Sequence, residues 1–402
     1  MLRVNGERLL ADLRQLAQFG QVGTGVNRVA LSKTDLDARQ WLARRMQDAG
    51  LAAQMDQVAN VYGRYPGAGG ALLIGSHTDT VPNGGWLDGA LGVIYGLEIA
   101  RAAIESAASP ALGVDVISFQ DEEGTYLPFL GSRTFCNDLS EAELDTAKSG
   151  AQSLRAALAG IPASPAAARL DRERHVCYLE AHIEQGPRLE AAQRRIGVVS
   201  GLVGIRRLRI ASHGRADHAG TTPMGMRNDA GAVLFNLASR IAQEFPRLGA
   251  GDTVWNIGSM VLRPGAANVV PSEAEMVVEF RDIDSGILDR LEQHVRAWIN
   301  ELSGRSPIEV HSLARLTPTP MADAFVDVLA SAAKTRGEQP MHMASGAGHD
   351  AMIMARFIPA AMLFVPSIGG RSHDVTEDTA EADIVFGCEV LAEAVDRLRN
   401  TS

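Results

Sequence analysis

Cysteine is scarce in this sequence, and long apolar segments are missing. Three cysteines, Cys136, Cys177 and Cys388, occur among 402 residues. So small and odd a number argues against a disulfide framework and favours a reducing compartment. No stretch approaches the roughly 20 apolar residues that a membrane-spanning helix needs. Residues 1–20 mix charges with apolar residues at helical spacing, which a signal peptide does not do. We therefore expect a soluble, cytoplasmic protein without a membrane partner.

Basic residues are outnumbered by acidic ones. The chain has 38 Lys and Arg against 48 Asp and Glu, a formal net charge of −10 and a pI of about 5.5. A polyphosphate partner requires a basic face, so this balance argues against nucleic acid binding. With 46% hydrophobic and 21% charged residues, the composition is that of a globular protein. A length of 402 residues exceeds one ordinary core, so we expect two domains.

Helix and strand patterns alternate along the first half of the chain. Residues 71–81 and 113–124 are apolar runs that end in polar residues. Buried parallel strands have this pattern when their carboxyl ends open on a site. Residues 90–105 lie between them and read as a helix. The alternation predicts an α/β domain.

The pattern changes after residue 205. Residues 206–220 alternate apolar and polar side chains, as a half-exposed strand does, and would place His213 and His218 on one strand. The order strand, helix, strand, strand, helix, strand that follows is ferredoxin-like. We therefore predict an inserted α+β domain over 205–318 within an α/β domain formed by 1–204 and 319–402.

Three candidate residues follow the first buried strand. On a strand, residues i and i+2 share one face, so Asp79 is placed to fix the ring of His77 as the carboxylate partner of a metal-ligating histidine. Asp88 follows a glycine-rich bend and precedes a helix, where an N-cap is the alternative to a metal ligand. A lone histidine is structural by default, so this motif does not decide alone.

Glu122 and Glu123 end the second buried strand, next to a further acid, in the sequence FQDEEG. Adjacent acids repel one another unless positive charge is present, and a divalent metal would supply that charge. Neighbours on a strand face opposite ways, so one acid could bind metal while the other acts as general base. The alternative is a solvated acidic loop.

His182 and His373 also lie just beyond apolar strand segments. Ligands of open α/β sheets bind at such strand ends, and four ends that each offer a histidine or carboxylate favour a metal site. Histidine and carboxylate ligands suit zinc or manganese, and Asp88 could bridge two ions.

Taken together, these segments resemble the M20 metallopeptidase superfamily, and in particular its hydantoinase/carbamoylase branch. That branch contains N-carbamoyl-L-amino-acid hydrolases, β-ureidopropionases and allantoate amidohydrolases. The resemblance covers nearly the whole chain and is carried by GSHTDTVPNGG, LDGALGV, DEEG, AHIEQGP, DHAGTTPM, NVVP, SGAGHDA and the GG-x-SH turn. It implies a mixed-sheet di-metal catalytic domain with an inserted ferredoxin-like domain for closure and dimerisation.

The resemblance also implies a role for each site residue. His77 and His182 would hold one metal ion, Glu123 and His373 the other, and Asp88 would bridge them. Glu122 would be the general base and Asp79 would orient His77. His218 would polarise the scissile carbonyl, and Gln185, Asn268 and Arg281 would bind substrate, Arg281 as the bidentate partner of a carboxylate. The two ions would be zinc or manganese, with cobalt or nickel as alternatives.

Three positions near the expected substrate depart from the family pattern. Trp86-Leu87 stands where a basic–aromatic pair is usual, and Thr125-Tyr126-Leu127 replaces Ser-Arg-Phe. Arg371 occupies a position that is commonly small or aliphatic, where it either binds a second negative group of the substrate or points to solvent.

The function implied is hydrolysis of the carbamoyl C–N bond of an N-carbamoyl amino acid, of the L-α or β-alanine type, with release of ammonia and carbon dioxide. Alternatives are an allantoate or ureidoglycolate amidohydrolase, an N-acyl amino-acid deacylase or peptidase, and a non-catalytic binding protein of the same fold. The partner expected besides the small ureido substrate is a second copy of the chain, because the family dimerises through the inserted domain.

Overall fold

The computed structural model describes residues 2–106, 111–161, 168–302 and 307–400. The chain forms two compact units, one made of Met1–Ser200 with Met321–Ser402 and the other of Gly201–Pro320. Across these described ranges, the helices are all too short or too polar to cross a membrane.

The helices are α1 (Gly6–Ala17), α2 (Lys33–Asp48), α3 (Ala90–Glu105), α4 (Leu130–Phe135), α5 (Glu141–Thr146), α6 (Leu154–Leu158), α7 (Arg188–Ala191), α8 (Ala230–Leu248), α9 (Ser285–Leu302), α10 (Asp323–Thr335), α11 (Asp350–Met354) and α12 (Glu381–Asn400). The strands are β1 (Gln21–Val22), β2 (Gly25–Val26), β3 (Ala52–Met55), β4 (Val61–Arg64), β5 (Gly70–His77), β6 (Leu112–Phe119), β7 (Lys148–Ser149), β8 (Gln152–Ser153), β9 (His175–Ile183), β10 (Gly197–Leu202), β11 (Gly204–His213), β12 (Val254–Arg263), β13 (Glu273–Asp282), β14 (Ile308–Leu316), β15 (Thr319–Pro320), β16 (Met341–Ser345) and β17 (Ala360–Val365).

The first unit is built on a mixed sheet with the strand order β10, β17, β9, β5, β6, β4, β3. The four strands β17, β9, β5 and β6 are parallel, and β10, β4 and β3 pair antiparallel at the two sides. In addition, β16 pairs with β10, and β15 pairs with the last two residues of β10. The predicted α/β fold with a mixed sheet is confirmed.

Helix α3 packs on the central strands because almost all of its residues are apolar and buried. At Gly92 an added Cβ would lie 2.3 Å from the carbonyl oxygen of Ala181, so glycine allows the helix to approach β9 closely. The strands on which α3 packs are equally buried, since β5 is buried from Ala71 onward and β6 from Gly113 onward. The carboxyl ends of the parallel strands therefore meet at one edge of a well-packed sheet, where ligands of such sheets bind.

Both strands that lead to the acidic residues are shorter than their apolar patterns predict. Strand β5 ends at His77 and β6 ends at Phe119, so Asp79, Glu122 and Glu123 lie in the connections beyond them. The chain turns at Asp121, which adopts a φ of 55°. The prediction that Glu122 and Glu123 sit on a strand with opposite faces is therefore wrong, and the turn positions them instead.

The second unit has the predicted order of strands and helices. Its sheet has the order β12, β13, β11, β14 with all neighbours antiparallel. Its core is formed by apolar residues of the sheet together with α8 and α9, among them Ile210, Leu234, Val278 and Leu291. The prediction that His213 and His218 share a strand is wrong, because β11 ends at His213 and His218 makes an isolated bridge to Val269.

Candidate metal centre

The five predicted metal ligands meet around the carboxylate of Asp88. His182 Nε2 lies 3.1 Å and His77 Nε2 lies 3.9 Å from Asp88 Oδ1. His373 Nε2 lies 3.2 Å from Asp88 Oδ2 and 3.3 Å from Glu123 Oε1. Two groups, His77–Asp88–His182 and Asp88–Glu123–His373, each have ligand atoms close enough to hold one ion. Asp88 belongs to both groups and presents a different oxygen to each.

Each ligand comes from the carboxyl end of a parallel strand or from the loop before α3. His77 ends β5, His182 is the penultimate residue of β9, and His373 follows β17. Gly89 follows Asp88 with a φ of 65°, and a Cβ there would lie 2.4 Å from His77 Nε2. Only glycine therefore fits between Asp88 and the helix. Because Gly89 is the N-cap of α3, the interpretation of Asp88 as the N-cap is wrong.

Hydrogen bonds fix the rings of His77 and His182. His77 Nδ1 lies 2.9 Å from the carbonyl oxygen of Asp79, and His182 Nδ1 lies 2.9 Å from that of Ile183. A carbonyl oxygen only accepts, so Nδ1 of each ring carries a proton, and Nε2 is the nitrogen that offers a lone pair when the ring is neutral. The backbone N–H of Gly89 donates to His182 Nε2 at 3.1 Å, in agreement with that assignment. Both histidines are thus oriented with Nε2 ready to bind a metal ion.

Asp79 contacts His77 through its backbone rather than through its side chain. Its Oδ1 lies 3.9 Å from His77 Nδ1 and 3.3 Å from Arg39 Nη2. Its Oδ2 accepts a hydrogen bond from the backbone N–H of Glu123 at 3.4 Å. The carboxylate therefore connects the two loops that follow β5 and β6, while the carbonyl orients the histidine.

The centre attracts positive charge. Burial alone would lower the pKa of His77, but the surrounding carboxylates, with the largest effect from Glu122, raise it well above its ordinary value. The carboxylates of Asp88 and Glu123 raise the pKa of His373 to about 10. A divalent cation supplies the charge that these carboxylates demand, and an imidazole–carboxylate donor set suits zinc or manganese. The residues present therefore fit a metal ion.

Glu122 lies beside this cluster, with Oε2 3.7 Å from His77 Nε2. Burial raises the pKa of Glu122 well above its ordinary value, and nearby carboxylates such as Asp350 raise it further. A third group, His77, Glu122 and Glu123, is also compact enough to hold an ion. The geometry thus allows Glu122 to act as a base or as a ligand, and a substitution at Glu122 distinguishes the two roles.

The neighbouring acid Asp121 needs no metal. Its carboxylate accepts hydrogen bonds from the backbone N–H groups of Thr125, Tyr126 and Leu127 at 2.6 to 2.9 Å. These bonds hold the turn that carries Glu122 and Glu123. Of the three adjacent acids in the sequence, one therefore supports the loop and two face the centre.

Gln185 is the predicted substrate residue that the structure places in the centre. Its Nε2 donates to Asp88 Oδ1 at 3.2 Å and to Ser372 Oγ at 3.1 Å. Arg371, by contrast, has an exposed side chain, and its Nη1 lies 3.3 Å from Oδ1 of Asp374. The Trp86 indole N–H donates to Asp378 at 3.3 Å.

The second unit carries His218, Asn268 and Arg281. Nδ1 of His218 accepts from the backbone N–H groups of Gly220 and Thr221 at 3.0 and 3.2 Å, so the proton of the neutral ring is on Nε2. The carbonyl oxygen of Asn268 accepts from Ala219 N–H at 2.9 Å, next to His218. The Arg281 guanidinium pairs with Glu279 at 2.7 Å.

Two buried residues of the centre were missed by the sequence analysis. Arg39 of α2 donates a hydrogen bond to the carboxylate of Asp79. Glu377 accepts hydrogen bonds from the backbone N–H groups of Leu87 and Asp88. Arg39 has no local signal, because it is one of several arginines in a charged helix. Glu377 has a weak one, since it follows His373 by four residues in the same turn.

Histidines and carboxylates that gather at the carboxyl ends of parallel strands, close enough to hold a metal ion, form the kind of site that metal-dependent hydrolases use. Residues 73–397 match the profile of the peptidase family M20/M25/M40. The chain belongs to this family, as its sequence motifs predict.

Individual relatives are similar over almost their full length. The N-carbamoyl-L-amino-acid amidohydrolase of Paenarthrobacter aurescens is 34% identical, with 98% of each chain covered. The allantoate amidohydrolase of Escherichia coli is 32% identical over 94% of each chain. The crystal structure of an amidase of the hydantoinase/carbamoylase family from Burkholderia phymatum is 46% identical, with a TM-score of 0.93, and the match covers 99% of this chain and 98% of that one. The protein is therefore an amidohydrolase, a hydrolase of C–N bonds.

Proposed function

We propose that the protein hydrolyses the carbamoyl C–N bond of an N-carbamoyl amino acid, of the L-α or β-alanine type. The observation that carries the metal-dependent hydrolysis in this proposal is the position of Asp88, which presents one oxygen to His77 and His182 and the other to His373, a neighbour of Glu123. Similarity to an N-carbamoyl-L-amino-acid amidohydrolase over nearly the whole chain supports this substrate, and similarity to an allantoate amidohydrolase supports the alternative.

The two groups of ligands that share Asp88 would hold two divalent ions, zinc or manganese. When bound, such ions lower the pKa of water and polarise a carbonyl oxygen. His77 and His182 are already oriented for this role by the carbonyl oxygens of Asp79 and Ile183.

Glu122 is the proposed proton carrier. It takes a proton from the attacking water, and the water oxygen adds to the carbamoyl carbon. Glu122 then returns the proton to the leaving nitrogen as the C–N bond breaks. Breaking this first C–N bond releases one nitrogen as an amine and leaves the other as a carbamate. The carbamate then loses carbon dioxide as its own C–N bond breaks, so that one water yields the free amino acid, ammonia and carbon dioxide. Burial of Glu122 suits this exchange, because it raises the pKa of the carboxyl well above its ordinary value and so makes the carboxylate a stronger base.

Five further residues would contact the substrate. His218 carries its proton on Nε2 and would donate it as a hydrogen bond to the developing oxyanion. Arg281 would bind the substrate carboxylate through two parallel hydrogen bonds. Gln185 and Asn268 would bind the remaining polar groups, and Arg371 a second negative group where the substrate has one.

The inserted domain over 205–318 would serve closure and dimerisation, and the protein would act in the cytoplasm. These are proposals from the family resemblance. Sedimentation of the purified protein tests the dimer, because a monomer at micromolar concentration would contradict it.

The test of the function is ammonia release by protein loaded with manganese or zinc. The panel holds an N-carbamoyl-L-amino acid, N-carbamoyl-β-alanine, allantoate, ureidoglycolate and an N-acetyl amino acid, with a chelator-treated control; for the N-acetyl compound, release of the free amino acid is measured. Metal-dependent release from an N-carbamoyl amino acid is the expected result. Preference for allantoate or ureidoglycolate would support the alternative amidohydrolase, and hydrolysis of the N-acetyl compound alone would support a deacylase. Binding of these compounds without turnover would contradict an enzymatic role.

A further inference from the structure

Glu377 joins the two loops that carry Asp88 and His373. Its side chain is buried, with 1% of the residue exposed. Oε1 accepts hydrogen bonds from the backbone N–H groups of Leu87 at 3.1 Å and Asp88 at 3.0 Å. Oε2 accepts from the hydroxyl of Ser372 at 2.9 Å. One carboxylate therefore binds Asp88 itself and the residue that directly precedes His373.

The hydroxyl of Ser372 continues this network back to Asp88. While it donates to Glu377, it accepts from Gln185 Nε2 at 3.1 Å, and the same nitrogen donates to Asp88 Oδ1 at 3.2 Å. Asp88 is thus held twice, through its backbone by Glu377 and through its side chain by Gln185. The four residues form a closed ring of hydrogen bonds on one side of the centre.

The surrounding chain is shaped around the Glu377 carboxylate. A Cβ on Gly85 would lie 1.9 Å from Cδ and Oε1 of Glu377, so no side chain fits at that position. His373 adopts a φ of 55°, in the left-handed region that side chains rarely adopt. Such a conformation persists only where neighbouring contacts hold it, and the hydrogen bond between Ser372 and Glu377 is the contact next to it.

We infer that Glu377 is a positioning residue that holds Asp88 and His373 in the arrangement required to bind a metal ion. The inference rests on the proposed function, in which Asp88, Glu123 and His373 share an ion. Residues that orient metal ligands typically change metal affinity by roughly 10- to 100-fold when they are replaced. Without Glu377, the two ligands would have to be ordered at the moment of binding, and this ordering would weaken the affinity.

The test compares metal affinity in the parent, E377A, S372A and E381Q by calorimetric titration of chelator-treated protein with Mn²⁺. We expect E377A to bind its ion roughly 10- to 100-fold more weakly, and S372A to change in the same direction by less. E381Q removes the same charge four residues further along, at a side chain that is 55% exposed, and should leave the affinity unchanged. The melting temperature of each metal-free variant is measured alongside.

The outcomes separate this inference from the proposed function. If E377A folds and binds Mn²⁺ with the parental affinity, the role of Glu377 is overturned. If E377A does not fold, a parental Mn²⁺ affinity in S372A overturns it. A lower melting temperature with unchanged affinity does so too, because it shows a purely structural role. A parent that binds no ion overturns the proposed function, and this inference with it.

Discussion

Arg39 and Asp79 form an ion pair in which neither side chain is exposed, with Nη2 of Arg39 3.3 Å from Oδ1 of Asp79. Arg39 also pairs with Asp35 at 2.8 Å and donates to the carbonyl oxygen of Phe119, the last residue of β6, at 2.8 Å. Asp79 in turn orients His77 through its carbonyl. One guanidinium of α2 therefore supports both the strand end and the loop on which the centre is built.

Replacing Arg39 with methionine should destabilise the protein by about 3–5 kcal/mol, because Asp35 and Asp79 would remain buried without their cation. Urea unfolding of the metal-free protein measures the change. The control is R44M, which removes an exposed arginine from the same helix and should change stability by no more than about 0.5 kcal/mol. Equal stabilities of R39M and the parent would show that the pair contributes nothing.

E122Q should lower kcat by roughly 10²- to 10⁴-fold or more, because glutamine has nearly the shape of glutamate but cannot accept a proton. Metal content, measured by atomic emission, should stay at the parental value if Glu122 is a base and not a ligand. E123Q is the contrasting variant, since it should lose metal together with activity. A parental rate in E122Q would refute the proposed mechanism, and loss of metal would assign Glu122 as a ligand.

H218A should lower kcat by roughly 10²- to 10³-fold, the effect of removing one donor to an oxyanion. The ring has its proton on Nε2 because Nδ1 accepts from Gly220 and Thr221. H213A is the matched control, since His213 is an exposed histidine at the end of β11 and should keep the parental kcat. An unchanged kcat in H218A would remove His218 from the catalytic residues.

R281K should raise KM by roughly 10- to 100-fold, because lysine keeps the charge but loses the bidentate geometry that is worth about 1.5–3 kcal/mol. The control is R207K. Arg207 also pairs with Glu279, through Nε at 2.5 Å, but carries no predicted substrate role. Steady-state kinetics on the best substrate of the panel provide both constants. If R281K and R207K raise KM equally, the effect comes from Glu279 and not from a substrate carboxylate.

The elements that surround the centre could be predicted because their signals are local. Helix α3 has the predicted bounds, since its apolar run begins and ends at those residues. The candidate ligands could be named for a related reason, because His77 and His182 lie at the ends of apolar runs, and Asp88, Glu123 and His373 lie in the loops that follow such runs. Strand β6 ends earlier than its apolar sequence pattern predicts, because the chain turns at Asp121. The Asp121 carboxylate accepts hydrogen bonds from three backbone N–H groups of that turn.

The supporting residues could not be predicted in the same way. Arg39 acts on Asp79, 40 residues away, and Glu377 acts on a loop about 290 residues away. Such contacts exist only after the sheet has formed, and a charged residue in a helix or turn is solvated by default. Tertiary pairing of buried charges is therefore the part of this centre that required the structure.

The buried carboxylate of Asp115 predicts a dependence of stability on pH. Burial alone would raise its pKa, but hydrogen bonds from His175, Arg174 and Tyr62 lower it to about 2. Arg174 contributes two bonds, at 2.7 and 2.8 Å. Since the folded-state pKa is lower than the unfolded one, the charged carboxylate stabilises the fold at pH values above the unfolded pKa. This stabilisation is lost as the pH falls toward 2.

The size of the effect follows from the shift of the pKa, from 3.8 to about 2, which corresponds to about 2 kcal/mol. Urea unfolding at a series of pH values should therefore show D115N less stable than the parent at pH 5, with a difference that narrows by about that amount as the pH approaches 2. D145N is the control, because Asp145 is 63% exposed beside Arg155 and such surface pairs contribute about 0–1 kcal/mol. A difference between D115N and the parent that stays constant over this range would show that the Asp115 carboxyl titrates alike in the folded and unfolded chains.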